Sequence, residues 1–152
     1  MLQTALTALL LSLLLLLLPH VAAMATPAAT TCTSFDAAAP GVLTLMKSDS
    51  SDSLTYWLFK PASCISVSSC PVLLFLHGAG GVNNPTNIRG QSLTRMLDID
   101  ADYAARCKHI VVMPVAPERG WPQHGKAVME LLDEVMAASG ADADRVAIAG
   151  QR

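Results

Sequence analysis

Apolar and polar positions along the chain fall into short blocks whose periods alternate between that of a strand and that of a helix. Gly41 to Lys47 and Leu54 to Lys60 alternate enough to predict two strands, joined by the polar turn Lys47-Ser48-Asp49-Ser50-Ser51-Asp52. The aromatics in Tyr56-Trp57-Leu58-Phe59 suit a half-buried antiparallel pair. Pro71 to Leu76 is a continuous apolar run that stops at His77 and a cluster of glycines, which reads as a buried strand ending at an abrupt turn. A polar loop from Val82 to Gln91 follows, and Ser92 is placed to cap a helix running to about Arg106, with Asp98, Asp100 and Asp102 weakening its middle. His109 to Met113 predicts a second buried strand, Pro117 to Gly125 a loop, and Lys126 to Ser139 a helix ended by Gly140. Arg145 to Ala149 is a last short strand leading to Gly150. Two antiparallel strands followed by strand–helix–strand–helix–strand predict an α/β fold with a mostly parallel sheet and flanking helices. In such sheets ligands bind beyond the carboxyl ends of the strands, where both glycine turns, at Gly78 and Gly150, are expected.

Composition changes this picture mainly at the amino terminus. The 152 residues are 52% hydrophobic, but part of that figure is the Leu/Ala block from Ala5 to Leu18. Pro19 breaks it, and Ala23-Met24-Ala25 or Val21-Ala22-Ala23 offers small residues for cleavage, so residues 1–25 read as a secretory signal peptide. An uncleaved anchor is the competing reading, although the block is shorter than the roughly 20 apolar residues a span requires, so no stable membrane span is expected. Residues 26–40 are Ala/Thr/Pro-rich and read as a flexible entry segment before a domain covering 41–152. A formal charge of −2 with mixed signs argues against a nucleic-acid partner. Secretion would make Cys32, Cys64, Cys70 and Cys107 candidates for disulfides. Cys64–Cys70, flanking a short loop, is the favoured bridge and Cys32–Cys107 a second; buried free thiols are the alternative. No CxxC or paired-histidine spacing suggests a metal, and no cofactor is expected.

The chemistry is concentrated in PVLLFLHGAGG, residues 71–81. Gly78, Gly80 and Gly81 relieve the limits on φ, so backbone N–H groups could be aimed at one point, as a developing oxyanion requires. This stretch, together with YWLFKP (56–61), IVVMP (110–114) and DADRVAIAG (142–150), resembles the α/β-hydrolase superfamily. The nearest resemblance is to its secreted esterases: polyhydroxybutyrate-depolymerase-like, feruloyl-esterase-like and phospholipase/carboxylesterase enzymes. The resemblance implies that the amides of Gly78, Ala79 and Gly80 form half of an oxyanion hole, supported by His77 and Gly81. The other half would follow Gly150-Gln151 in a G-x-S-x-G elbow. Arg152 stands where the nucleophilic serine is expected, and the family's acid and base follow the serine in chain order, so no catalytic residue is assigned within the 152.

His77 therefore reads as structural, His109 and His124 as surface or packing residues, and His20 as part of the leader. Ser92 reads as a helix cap rather than a nucleophile, and Asp142 and Asp144 as turn groups. Trp121 lines a pocket or belongs to a satellite core. The implied function is the N-terminal part of a secreted serine esterase acting on an ester-bearing small molecule or polymer, inactive as given. A non-catalytic binding or decoy fragment is the alternative. The fold is expected to be incomplete after the fifth strand, whose raw apolar edge would favour non-specific self-association. An intron retained within a serine codon beginning AG would write arginine at 152 and then a stop.

Overall fold

The computed structural model describes residues 33–50, 52–65, 69–118 and 120–151. Residues 1–25, read above as a signal peptide, lie outside them, as do Cys32 and Arg152. Five strands form one sheet: β1 Leu43–Lys47, β2 Thr55–Phe59, β3 Val72–Leu76, β4 Ile110–Pro114 and β5 Val146–Gly150. The helices are α1 Thr33–Ala37, α2 Pro85–Arg89, α3 Ser92–Ile99, α4 Ala101–Arg106 and α5 Trp121–Ser139.

The spatial order is β1-β2-β4-β3-β5. β2 runs antiparallel to both β1 and β4, whereas β3 is parallel to β4 and to β5. The sheet is therefore mixed, not mostly parallel. The reason lies in β2, which forms the expected antiparallel pair with β1 but is buried rather than half-buried and also pairs antiparallel with β4. Tyr56, Trp57, Leu58 and Phe59 are all buried, so this aromatic run takes an interior position between β1 and β4. The alternating LTLMK of β1 occupies the edge instead.

Side-chain alternation divides the core into two layers. Tyr56, Leu58, Val72, Leu74, Ile110 and Val112 face one layer, which α5 covers with Ala127, Val128, Leu131, Leu132 and Val135. Trp57, Phe59, Val111 and Met113 face the other, covered by Ile88 of α2 and Leu97 of α3. Phe35 and Ala38 are buried in the first layer, so the end of the presumed entry segment is part of the folded body.

Three helix boundaries differ from the sequence reading. The helix expected from Ser92 to Arg106 breaks at Asp100, whose carboxylate accepts the Tyr103 N–H at 2.8 Å and caps a new helix. Ser92 does not cap α3. α5 starts at Trp121 rather than Lys126, with Pro122 in its first turn, and Gly125 is accommodated inside it. Gly140 ends α5 in the left-handed conformation (φ +60°), as its position predicts.

The Cys64–Cys70 disulfide is present. Cys107 carries a free thiol, so its expected pairing with Cys32 is not found. Among the described residues no helix is long and apolar enough to cross a membrane.

Candidate functional site

The connection from β3 to β4 passes over one face of the sheet through α2–α4, and that from β4 to β5 over the other through α5. Chains that leave adjacent parallel strands toward opposite faces open a crevice at the strands' carboxyl ends. A cleft of about 380 Å³ lies there, lined by His77, Gly78, Ala79, Val82, Ala116, Gly120, Trp121 and Gln151. It draws on the ends of β3, β4 and β5 together.

His77 fixes the turn after β3. Its ring is buried, and Nε2 accepts the Ala116 N–H at 3.0 Å. Nδ1 lies 2.7 Å from the Gly78 carbonyl oxygen. An amide can only donate and a carbonyl can only accept, so the proton sits on Nδ1 and both ring nitrogens are committed to backbone. The Trp121 indole donates to the His77 carbonyl at 2.8 Å, with its ring at an edge-on 4.8 Å from the imidazole. Trp121 thus both lines the cleft and braces the turn, while its body packs on the α5 layer.

Gly81 serves close approach rather than backbone freedom. None of Gly78, Gly80 and Gly81 has a positive φ, and Gly78 is extended (φ −77°, ψ −175°). This corrects the conformational reason given by the sequence. A Cβ at Gly81 would stand 2.5 Å from Nδ1 of His77 and 2.8 Å from Ile88, so the buried ring leaves room only for glycine. At Gly80 a Cβ would meet only the ends of Gln91 and Asn87, at 3.5 Å and 3.7 Å.

Within the turn, the Gly81 N–H donates to the Gly78 carbonyl at 3.1 Å. The amides of Gly78, Ala79 and Gly80 donate to no acceptor among the described residues. Gly78 and Ala79 line the cleft. Gly80 does not, and its carbonyl is held from outside by the Asn87 side chain. The Gln151 N–H donates to the Leu76 carbonyl at 2.9 Å, extending the β3–β5 pairing Leu76↔Gly150 by one bond and bringing the tip of β5 beside the turn. Among the described residues the lining holds no Asp, Glu, Lys or Arg, so negative charge in the cleft would be met by N–H dipoles.

The remaining candidates sit elsewhere. His109 is exposed at the start of β4, and His124 lies in the first turns of α5 rather than in a loop. Asp142 accepts the Asp144 N–H at 3.0 Å in a local turn. Among the described residues no serine hydroxyl is bonded to a histidine ring, and no cluster of three metal-ligating side chains occurs. Ser92, read as a cap, sends its hydroxyl to Gln151 Oε1 at 2.8 Å. Sequence reasoning missed this contact, and also the roles of Ala116 and Asn87. Residues 82–91 read as a polar loop, and α2 lies within it; Asn84-Pro85, a cap followed by proline at the first helical position, is the signal that could have placed its start.

The chain matches no family model, no curated protein and no solved structure.

Proposed function

We propose that this chain carries the carbonyl-oxygen cradle of a secreted serine carboxylic-ester hydrolase with an α/β-hydrolase fold. One observation carries the reading: two amides without an acceptor, Gly78 and Ala79, line a cleft together with Gln151 at the tip of β5. In acyl transfer a serine hydroxyl adds to the ester carbonyl, and the carbonyl oxygen takes up the negative charge. Fixed N–H donors lower the barrier because they need no reorientation as that charge develops; one such donor is worth about 3 kcal/mol. The alcohol then leaves with a proton returned by the base, and water releases the acid from the acyl-enzyme.

In this reading Gly78 and Ala79 supply one side of the cradle, and the residue after the nucleophile supplies the other. The elbow would follow Gly150-Gln151. Arg152 holds the nucleophile's expected position, and the cradle is the part of the machinery assigned to the described residues. The Cys64–Cys70 bridge supports an oxidising, extracellular setting.

A second reading, a non-catalytic binding fragment, is favoured by the absence of a serine–histidine pair among the described residues. It is also favoured by the exposed face of β5, where Ile148 is 63% accessible. The test is titration of the ¹⁵N-labelled chain with benzoate, with benzamide as the neutral control. The Gly78 and Ala79 amides should shift with benzoate and much less with benzamide. Shifts absent there, or equal for both compounds, would remove the cradle and the esterase reading with it.

A further inference from the structure

Ser92 is one of three non-glycine residues with positive φ among those described, at +42°. That conformation is costly for a side chain with a Cβ, and it persists only where the surroundings enforce it. Here the enforcement is visible. Thr94, itself buried, donates its hydroxyl to the carbonyls of both Ile88 and Gln91, the two turns of chain that enter α3. The Gln91 N–H donates to Ile88 O at 3.0 Å, and Arg95 N–H donates to Gln91 O at 3.2 Å. With these bonds made by neighbours, the Ser92 hydroxyl has no work in starting the helix. It donates instead to Gln151 Oε1, 59 residues away in sequence.

We propose that Ser92 is a positioning residue that latches Gln151 and so sets the second side of the cradle against the first. The proposal rests on the cradle reading of the cleft. Gln151 has two ties among the described residues, its N–H to Leu76 O and its side chain to Ser92. The first fixes how far along β3 the tip of β5 lies. A single backbone bond still leaves rotation about it, and the second tie removes that rotation from the opposite direction. The same short segment also reaches the glycine turn, because Asn87 donates to the Gly80 carbonyl. One arm, residues 84–92, therefore touches both sides of the cleft, and it holds the distance between them through two side chains. Ser92 is not offered as a nucleophile: its hydroxyl proton is given to an amide oxygen, and no ring nitrogen receives it.

Two variants separate the latch from plain folding. Ser92→Gly removes the hydroxyl and relieves the backbone, whereas Ser92→Asn tolerates the left-handed region and offers an N–H in place of the O–H. In the Gly variant the thermal midpoint should hold or rise, the Gln151 side-chain amide should move to its free-chain NMR position, and benzoate binding at Gly78 and Ala79 should weaken about five-fold. In the Asn variant the Gln151 signal and the affinity should both recover. A Gln151 amide unchanged in the Gly variant would overturn the latch. A mobile Gln151 with unchanged benzoate affinity would overturn its positioning role. If the parent chain fails to bind benzoate at these amides, the cradle reading falls, and the Gln151 signal still decides whether the latch exists.

Discussion

The two turns that meet at the cleft are held in very different ways. The turn after β3 is fixed by a buried ring with both nitrogens bonded to backbone, by an indole bonded to its carbonyl, and by a glycine packed against that ring. The tip after β5 hangs on one backbone bond and one exposed side-chain contact. β5 itself is mostly exposed on both faces, and among the described residues it pairs only with β3. Preorganisation costs a binding site least when the core provides it, since no additional group must be ordered at the moment of binding. By that measure the Gly78 side of the cleft is built by the fold, and the Gln151 side depends on the latch. Disturbing the first should cost stability; disturbing the second should cost geometry.

The strongest test of that contrast is His77→Ala. It orphans the buried Ala116 N–H and leaves a void beneath Gly81. An unsatisfied buried donor costs roughly 1–3 kcal/mol, and the void adds to it, so a loss of about 3 kcal/mol is expected in denaturant unfolding. A loss below about 1 kcal/mol would mean that the ring is not what fixes the turn.

Neighbouring glycines give a paired test of medium size. Gly81→Ala drives a methyl into the His77 ring and Ile88, so it should destabilise by about 2 kcal/mol and shift the Ala116 amide. Gly80→Ala meets only flexible side-chain ends, and should stay within about 0.5 kcal/mol of the parent. Equal effects at the two positions would show that conformational freedom, not packing against the ring, selects glycine here.

Much of this was legible from residue order. The unbroken apolar runs of β3 and β4 announced strands; β4 is buried throughout, whereas β3 is buried at Val72 and Leu74 and half-buried at its other positions, and the left-handed stop at Gly140 followed from its place after an amphipathic helix. Cys64 and Cys70 bridge as their spacing suggested. The interior position of β2 was harder to see: Leu54 to Lys60 reads as alternating and its aromatics as half-buried, whereas strand order is set by which layers have room, and that is not written in five residues. The start of α5 was hidden by Gly125, which resembles a breaker and is tolerated because α5 is held by its apolar face. At the cleft, the glycine cluster pointed to the right place for the wrong reason. Close approach to a ring is a tertiary fact, and so is the Ser92–Gln151 contact between side chains 59 positions apart.

The smallest expected effect concerns the arm that carries the latch. Arg89, at the end of α2, makes a two-pronged contact with Asp98 of α3 at 2.8 Å and 2.9 Å, and its guanidinium lies over the Trp57 ring. The hydrogen bond and charge of Arg89 hold the Asp98 carboxyl below the ordinary aspartate value. A carboxylate depressed in the folded state binds fewer protons there than in the unfolded chain. Its contribution is therefore present above the unfolded value of about 3.9 and is lost as pH falls through the lower folded one. Because the pair is exposed, solvent and salt screen it, and the loss should be slight. Asp98→Asn should flatten the decline of the thermal midpoint on acidification through that window, and added salt should shrink the difference between variant and parent. The consequence for the comparison is directional: loosening this arm should broaden the Gln151 signal before it disturbs the amide of Gly78, a residue that His77 anchors independently through its carbonyl. If Gly78 responds first, the two sides of the cleft are not separately supported, and the contrast between them fails.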